Sequence, residues 1–142
     1  MTNRAGLPRR QLLCGLAVGL LAPGVLAACG TGTSRVNGVG SAKPGTQVAA
    51  VNDIPVGGGN LVNVGTDGYL LVTQPTAGDI KAFDPTCPHL GATVDPPAGG
   101  IITCPAHGSE FNPDNGAVER GPATTGLTEV PVRVQAGQIV LA

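Results

Sequence analysis

The 142-residue sequence contains no tryptophan, and only Tyr69, Phe83 and Phe111 are aromatic. Any core must therefore be built from Val, Ile and Leu, with Phe83 as its largest certain member. Charge is scarce as well, at 12% of residues, with 8 basic side chains against 9 acidic ones. Nucleic-acid binding needs clustered Lys and Arg to neutralise phosphates, so this composition argues against it. Glycine and proline are abundant instead, 23 and 13 residues. Both break helix interiors, which argues against a helical bundle. An apolar content of 42% argues against a wholly disordered chain. What is left is one small, loop-rich, mostly β domain with a thin core. Domains of that kind are often stapled by a disulfide or a metal, and the four cysteines and two histidines are candidates for the staple.

Residues 1–28 read as an export signal. Arg4, Arg9 and Arg10 form a positive start, followed by an uncharged apolar run from Leu12 to Ala28. Small residues precede Cys29, and a cysteine in that place resembles the lipobox of bacterial lipoproteins. Pro8-Arg9-Arg10-Gln11-Leu12-Leu13 resembles a twin-arginine signal, a route for proteins already folded around a cofactor. These resemblances imply lipidation at Cys29 and a place on the extracytoplasmic face of the cell membrane. The alternative is an uncleaved N-terminal helix, although the 17-residue run lies at the lower limit for a span and Pro23-Gly24 interrupts it. Cys14 falls within the apolar run and reads as filler. After Cys29, residues 30–46 are rich in Gly, Thr and Ser and read as a flexible tether with a root-mean-square reach of roughly 20–25 Å. From residue 29 onward, five basic residues face nine acidic ones. A net charge of this sign would steer the domain towards a basic partner.

Residues 47–142 form the domain proper, with short strands separated by turns. Val48–Val51, Leu61–Val64, Tyr69–Thr73 and Ile80–Phe83 read as strands, with Gly57-Gly58-Gly59-Asn60 as a turn before the second. Ile101–Thr103 and Val118 suggest further short strands, and Asn115-Gly116 a tight hairpin turn. Glu129–Val134 and Gln138–Leu141 pair across Gln135-Ala136-Gly137. The fold class is all-β.

The chemistry lies between Asp84 and Thr125. Cys87-Pro88-His89 and Cys104-Pro105-Ala106-His107 hold both histidines of the chain and both cysteines outside its first 29 residues. Two thiolates and two imidazoles can hold a tetrahedral zinc or an iron–sulfur cluster. A Cys87–Cys104 disulfide is a further possibility outside the cytoplasm, but it leaves the histidines unexplained. Zinc knuckles usually supply like ligands, C-x2-4-C with H-x3-5-H. Here each loop supplies one of each, which suits a diiron centre with two thiolates on one iron and two imidazoles on the other.

Cys87-Pro88-His89-Leu90-Gly91 and Cys104-Pro105-Ala106-His107-Gly108-Ser109-Glu110-Phe111 resemble the two cluster loops of the Rieske [2Fe–2S] family. Gly121-Pro122-Ala123 resembles the family's proline loop over the cluster, and Asn115-Gly116-Ala117-Val118 its intervening hairpin. The resemblance implies an antiparallel β-sandwich carrying a two-loop subdomain. It also implies Cys87 and Cys104 on the inner iron, with His89 and His107 on the outer. Respiratory members carry a clamping cysteine in each loop, where this chain has Ala92 and Ala106. High-potential members use a Ser and a Tyr as hydrogen-bond donors to the cluster sulfurs. Ser109 matches the first, and Phe111 replaces the second. A donor near sulfur stabilises the reduced state, so one kept and one lost implies an intermediate potential within the family's approximate −150 to +300 mV.

With both irons fully ligated, such a domain carries electrons and is not a catalyst by itself. If its imidazoles take up a proton on reduction, the potential falls by roughly 59 mV per pH unit. The partner implied is a quinol-oxidising cytochrome bc-type complex. Alternatives are another exported oxidoreductase, such as a molybdenum enzyme, or an oxygenase that the protein serves as a ferredoxin. A zinc-stapled surface binding module is the reading from a different class.

Overall fold

A computed structural model describes residues 34–142. The export signal expected over residues 1–28 and the candidate lipidation site Cys29 lie outside the described residues. The described chain is all-β, in ten strands and one 3-10 turn at Val51–Asp53. The strands are β1 (Val36–Asn37), β2 (Gln47–Ala50), β3 (Gly58–Val64), β4 (Gly68–Gln74), β5 (Lys81–Phe83), β6 (Ile102–Thr103), β7 (Glu110–Phe111), β8 (Val118–Arg120), β9 (Val132–Gln135) and β10 (Gln138–Leu141).

They form three sheets. β3 and β4 make a seven-residue antiparallel hairpin, and the other edge of β4 takes β1 in parallel and β5 antiparallel. A second sheet runs β2-β10-β9 and a third β6-β7-β8. The turn between β9 and β10 has Ala136 and Gly137 both at positive φ, 49° and 76°, as a two-residue hairpin turn requires.

β4 explains the architecture. Leu70, Leu71, Val72 and Thr73 are all fully buried, so the strand is covered on both faces. That is why it reads as a continuous apolar run and not as an alternation. Leu70 and Val72 face a core shared with Val48, Ile54, Val64, Ala82, Ile139 and Leu141. Leu71 faces the opposite way, into a second core with Phe83, Val94, Ile102, Phe111, Ala123, Leu127 and the two cysteines. β5 divides in the same manner, Ala82 to one side and Phe83 to the other. The sheet is thus the shared wall between a base layer and a loop-rich subdomain. Thr73 fastens the two by donating its hydroxyl to the Pro113 carbonyl at 2.8 Å.

Four local expectations need correction. Gly58, Gly59 and Asn60 belong to β3, and the turn ends at Gly57. Gly59 is required inside the strand because a Cβ there would lie 2.5 Å from the Val72 carbonyl oxygen. The Asn115-Gly116 turn is not a two-residue hairpin: β7 and β8 are joined through Asn112–Ala117, where Asn112 and Asn115 side chains accept the N–H groups of Asp114 and Ala117. Gly116 is packed so closely that a Cβ would meet the Phe83 ring at 2.9 Å. β7, which the strand pattern does not announce, is the middle strand of its sheet. Finally, residues 36–46 do not trail as a tether. β1 pairs with Gly68-Tyr69, Ser41 binds Asp67, and Gly45 donates its N–H to the Leu141 carbonyl at 2.9 Å.

Candidate metal centre

The two Cys–His loops share one backbone device. In the first, the Cys87 N–H donates to Ala92 O at 2.7 Å and the Gly91 N–H returns to Cys87 O at 2.9 Å. In the second, the Cys104 N–H donates to Ser109 O at 2.8 Å and the Gly108 N–H returns to Cys104 O at 2.9 Å. Each loop closes through a glycine at positive φ, 82° at Gly91 and 77° at Gly108. The tight turns draw both cysteines inward, leaving each 1% exposed within the subdomain core.

The four side chains meet as two like pairs. The His89 and His107 rings stand edge to face, with centroids 4.9 Å apart and planes at 88°. Cys87 and Cys104 are neighbours as well, close enough for their sulfurs to interact, and both are free. The disulfide alternative is therefore not the arrangement the chain adopts. Burial pushes the Cys104 thiol up, Cys87 adds to the rise, and the N–H groups of Ala106 and His107 oppose it. A thiolate in that place needs a cation beside it. His89 is half-buried, and its Nδ1 is enclosed with no hydrogen-bond partner. A buried ring nitrogen with no hydrogen-bond partner, in the same pair of loops as two enclosed thiols, suits metal ligation. Two like pairs, two thiols and two imidazoles, fit a two-iron cluster.

A Rieske [2Fe–2S] domain model matches residues 45–131, more than half of the sequence. The chain belongs to the Rieske [2Fe–2S] domain family. Family membership brings the [2Fe–2S] cluster with it. The chain is 33% identical to the iron–sulfur subunit of the cytochrome b6-f complex of Gloeobacter violaceus, over 57% of its own length and 44% of that protein's. It is 29% identical to a protein named as a Rieske subunit of respiratory nitrate reductase in Haloferax mediterranei, over 58% of its own length and 39% of that protein's. The matched region thus spans less than half of either relative. A plasma-membrane Rieske protein of Synechocystis PCC 6803 shares the fold with a TM-score of 0.58 and 32% identity, covering 68% of this chain and 97% of that one.

Of the other expected site residues, Ser109 ends the second loop and Phe111 lies on β7 just after it. Ser109 is fully buried, and its Oγ accepts the Ala123 N–H at 3.0 Å. This ties the proline loop to the second cluster loop and leaves the hydroxyl proton free to donate elsewhere. Phe111 is fully buried on β7, opposite Ile102, and has no polar group to offer a sulfur. Pro122 is exposed beside Ala123. Glu110, opposite Arg120 across β7 and β8, is ion-paired to it at 2.8 Å. Beside the histidines in sequence, Leu90 is 71% exposed, and Pro88, Pro105 and Ala106 are exposed as well.

Sequence reasoning missed one group near the site. Asn37 donates Nδ2 to Thr93 Oγ1 at 3.1 Å, bringing residues of the expected tether against the first loop. No local pattern announces it, because the two residues are 56 positions apart.

Proposed function

We propose that this Rieske electron-transfer protein is exported, anchored through Cys29 to the extracytoplasmic face of the cell membrane, and carries electrons for a quinol-oxidising cytochrome complex. In this reading Cys87 and Cys104 hold the inner iron and His89 and His107 the outer. When bound, the cluster supplies one-electron uptake and release. The chain's own residues do the rest. The buried cysteines keep water from the inner side. Nδ1 of His89, enclosed and unpartnered, is its metal-facing atom, which leaves Nε2 to exchange a proton with a donor.

The observation that carries the reading is the edge-to-face histidine pair, in loops whose neighbouring residues Pro88, Leu90, Pro105 and Ala106 are apolar and exposed. Exposed apolar residues beside the imidazoles suit an apolar donor at a membrane. The likeness to a cytochrome b6-f iron–sulfur subunit supports the reading.

The test is to isolate membranes with and without the full chain, assay quinol oxidation by an added cytochrome, and weigh the mature N-terminus by mass spectrometry. Quinol-dependent turnover that needs the protein, with a lipid on Cys29, is the expected result. A soluble mature chain, or turnover unaffected by its loss, overturns the proposal. A second reading, a subunit of another respiratory oxidoreductase, is favoured by the nitrate reductase relative and by Ala92, Ala106 and Phe111 in place of the clamp and the tyrosine. It predicts a reduced protein that quinol does not generate.

A further inference from the structure

We propose that residues 36–41 are a brace for the first cluster loop, and that Asn37 is a positioning residue that sets Cys87 and His89 through Thr93. The proposal rests on the metal-centre assignment above. Thr93 lies between two residues that close the loop. The carbonyl of Ala92 accepts the Cys87 N–H at 2.7 Å, and the N–H of Val94 donates to Pro85 O at 2.8 Å. Thr93 itself bridges to Thr86, just ahead of Cys87. A force on the Thr93 side chain therefore acts on both ends of the turn that places the cysteine and the histidine.

That side chain is held from outside the loop by Asn37, whose Nδ2 donates to it at 3.1 Å. The next residue is seated on the loop's other end. A Cβ on Gly38 would stand 2.9 Å from Asp84 Oδ2, and Gly38 has φ +92°, so only glycine fits there. Asp84 in turn accepts the Thr86 N–H through Oδ1 at 2.8 Å.

The brace has its own footing on β4 and the turn before it. Gly38 and Tyr69 exchange backbone hydrogen bonds at 2.8 Å each way. Asp67 Oδ1 accepts both the N–H and the hydroxyl of Ser41, at 2.9 and 2.6 Å. The second cluster loop is held differently, by the Ser109 hydroxyl on the proline loop. A segment that composition assigns to a tether thus supplies the outside support for one of the two ligand loops.

The test uses the full-length, cluster-loaded protein and two variants. Asn37→Ala removes the contact with the loop, whereas Ser41→Ala loosens the brace at its footing, away from the loop. Three readouts are compared: melting temperature, rate of cluster loss, and the electron paramagnetic resonance line shape of the reduced protein. Both variants are expected to melt lower. Only Asn37→Ala should change the line shape, and it should lose the cluster about five times faster, the effect of one net hydrogen bond. If Asn37→Ala fails to fold, Thr93→Val removes the same bond from the other side and should give the same spectral change. A wild-type line shape and cluster lifetime in either variant at the Asn37–Thr93 contact overturns the proposal, as does an equal change in Ser41→Ala. A wild-type protein that binds no cluster overturns the metal-centre assignment, and the brace with it.

Discussion

The two Cys–His loops, residues 84–94 and 104–111, are built alike and supported differently. Both close a turn from the cysteine to a glycine four residues later, and both give the cysteine N–H to the carbonyl one residue beyond. Yet the histidine comes two residues after Cys87 and three after Cys104. His89 is half-buried with an enclosed Nδ1, whereas His107 is exposed. The supports differ too: the first loop leans on Asn37 and Gly38, the second on the Ser109–Ala123 bond. Common backbone chemistry closes both turns, and each loop has outside contacts of its own.

The comparison can be broken most completely at His107. His107→Ala should abolish the visible absorption of the cluster and lower the melting temperature, because one metal centre joins both loops. An unchanged spectrum would remove His107 from the ligand set. Ser109→Ala comes next. It leaves the buried Ala123 N–H unpaired, which should cost about 1–3 kcal/mol in denaturant titration. Losing the spare hydroxyl proton should also lower the reduction potential. If stability falls and the potential does not, Ser109 serves the proline loop alone.

The likeness of the loops is sharpened by Gly91→Ala and Gly108→Ala. Nothing lies within 4 Å of a Cβ at either position, so the cost is backbone strain at positive φ. Each should lose about 1–2 kcal/mol, and by similar amounts. Unequal losses would mean that the turns are not equivalent. The smallest expected effect concerns the footing of the brace. The Ser41 hydroxyl and N–H hold the Asp67 carboxyl below its ordinary value. Ionised Asp67 therefore favours the folded state above about pH 4, and that contribution is lost as pH falls through its folded-state value. The melting temperatures of wild type and Ser41→Ala should converge in acid. A gap that stays constant down to pH 2 would contradict this.

The candidate site was legible because its signal is local. Cys87, His89, Cys104 and His107 stand in two short motifs, and one Cys and one His in each already differ from a zinc knuckle of like ligands. The fold class was legible from apolar runs such as Leu70-Leu71-Val72 and the Gln135-Ala136-Gly137 turn. What composition hid was decided by distant contacts. Gly58-Gly59-Asn60 looks like a turn, yet Gly59 is a strand residue because the Val72 carbonyl leaves no room for a side chain. Val36-Asn37 lies in a Gly-, Thr- and Ser-rich stretch and becomes a strand only because Gly68-Tyr69 has an open edge to offer. Likewise, Ser109 reads as a donor to sulfur, but the structure also gives it a mechanical task.

Two sulfurs and two imidazoles forming an asymmetric two-iron centre can be tested by iron and sulfide analysis of the full-length protein, combined with electron paramagnetic resonance of reduced samples labelled with nitrogen-15 histidine. Two irons and two sulfides per chain are expected, with two histidine nitrogens coupled to the reduced centre. A colourless protein holding one zinc, or a cluster with no nitrogen coupling, would contradict it.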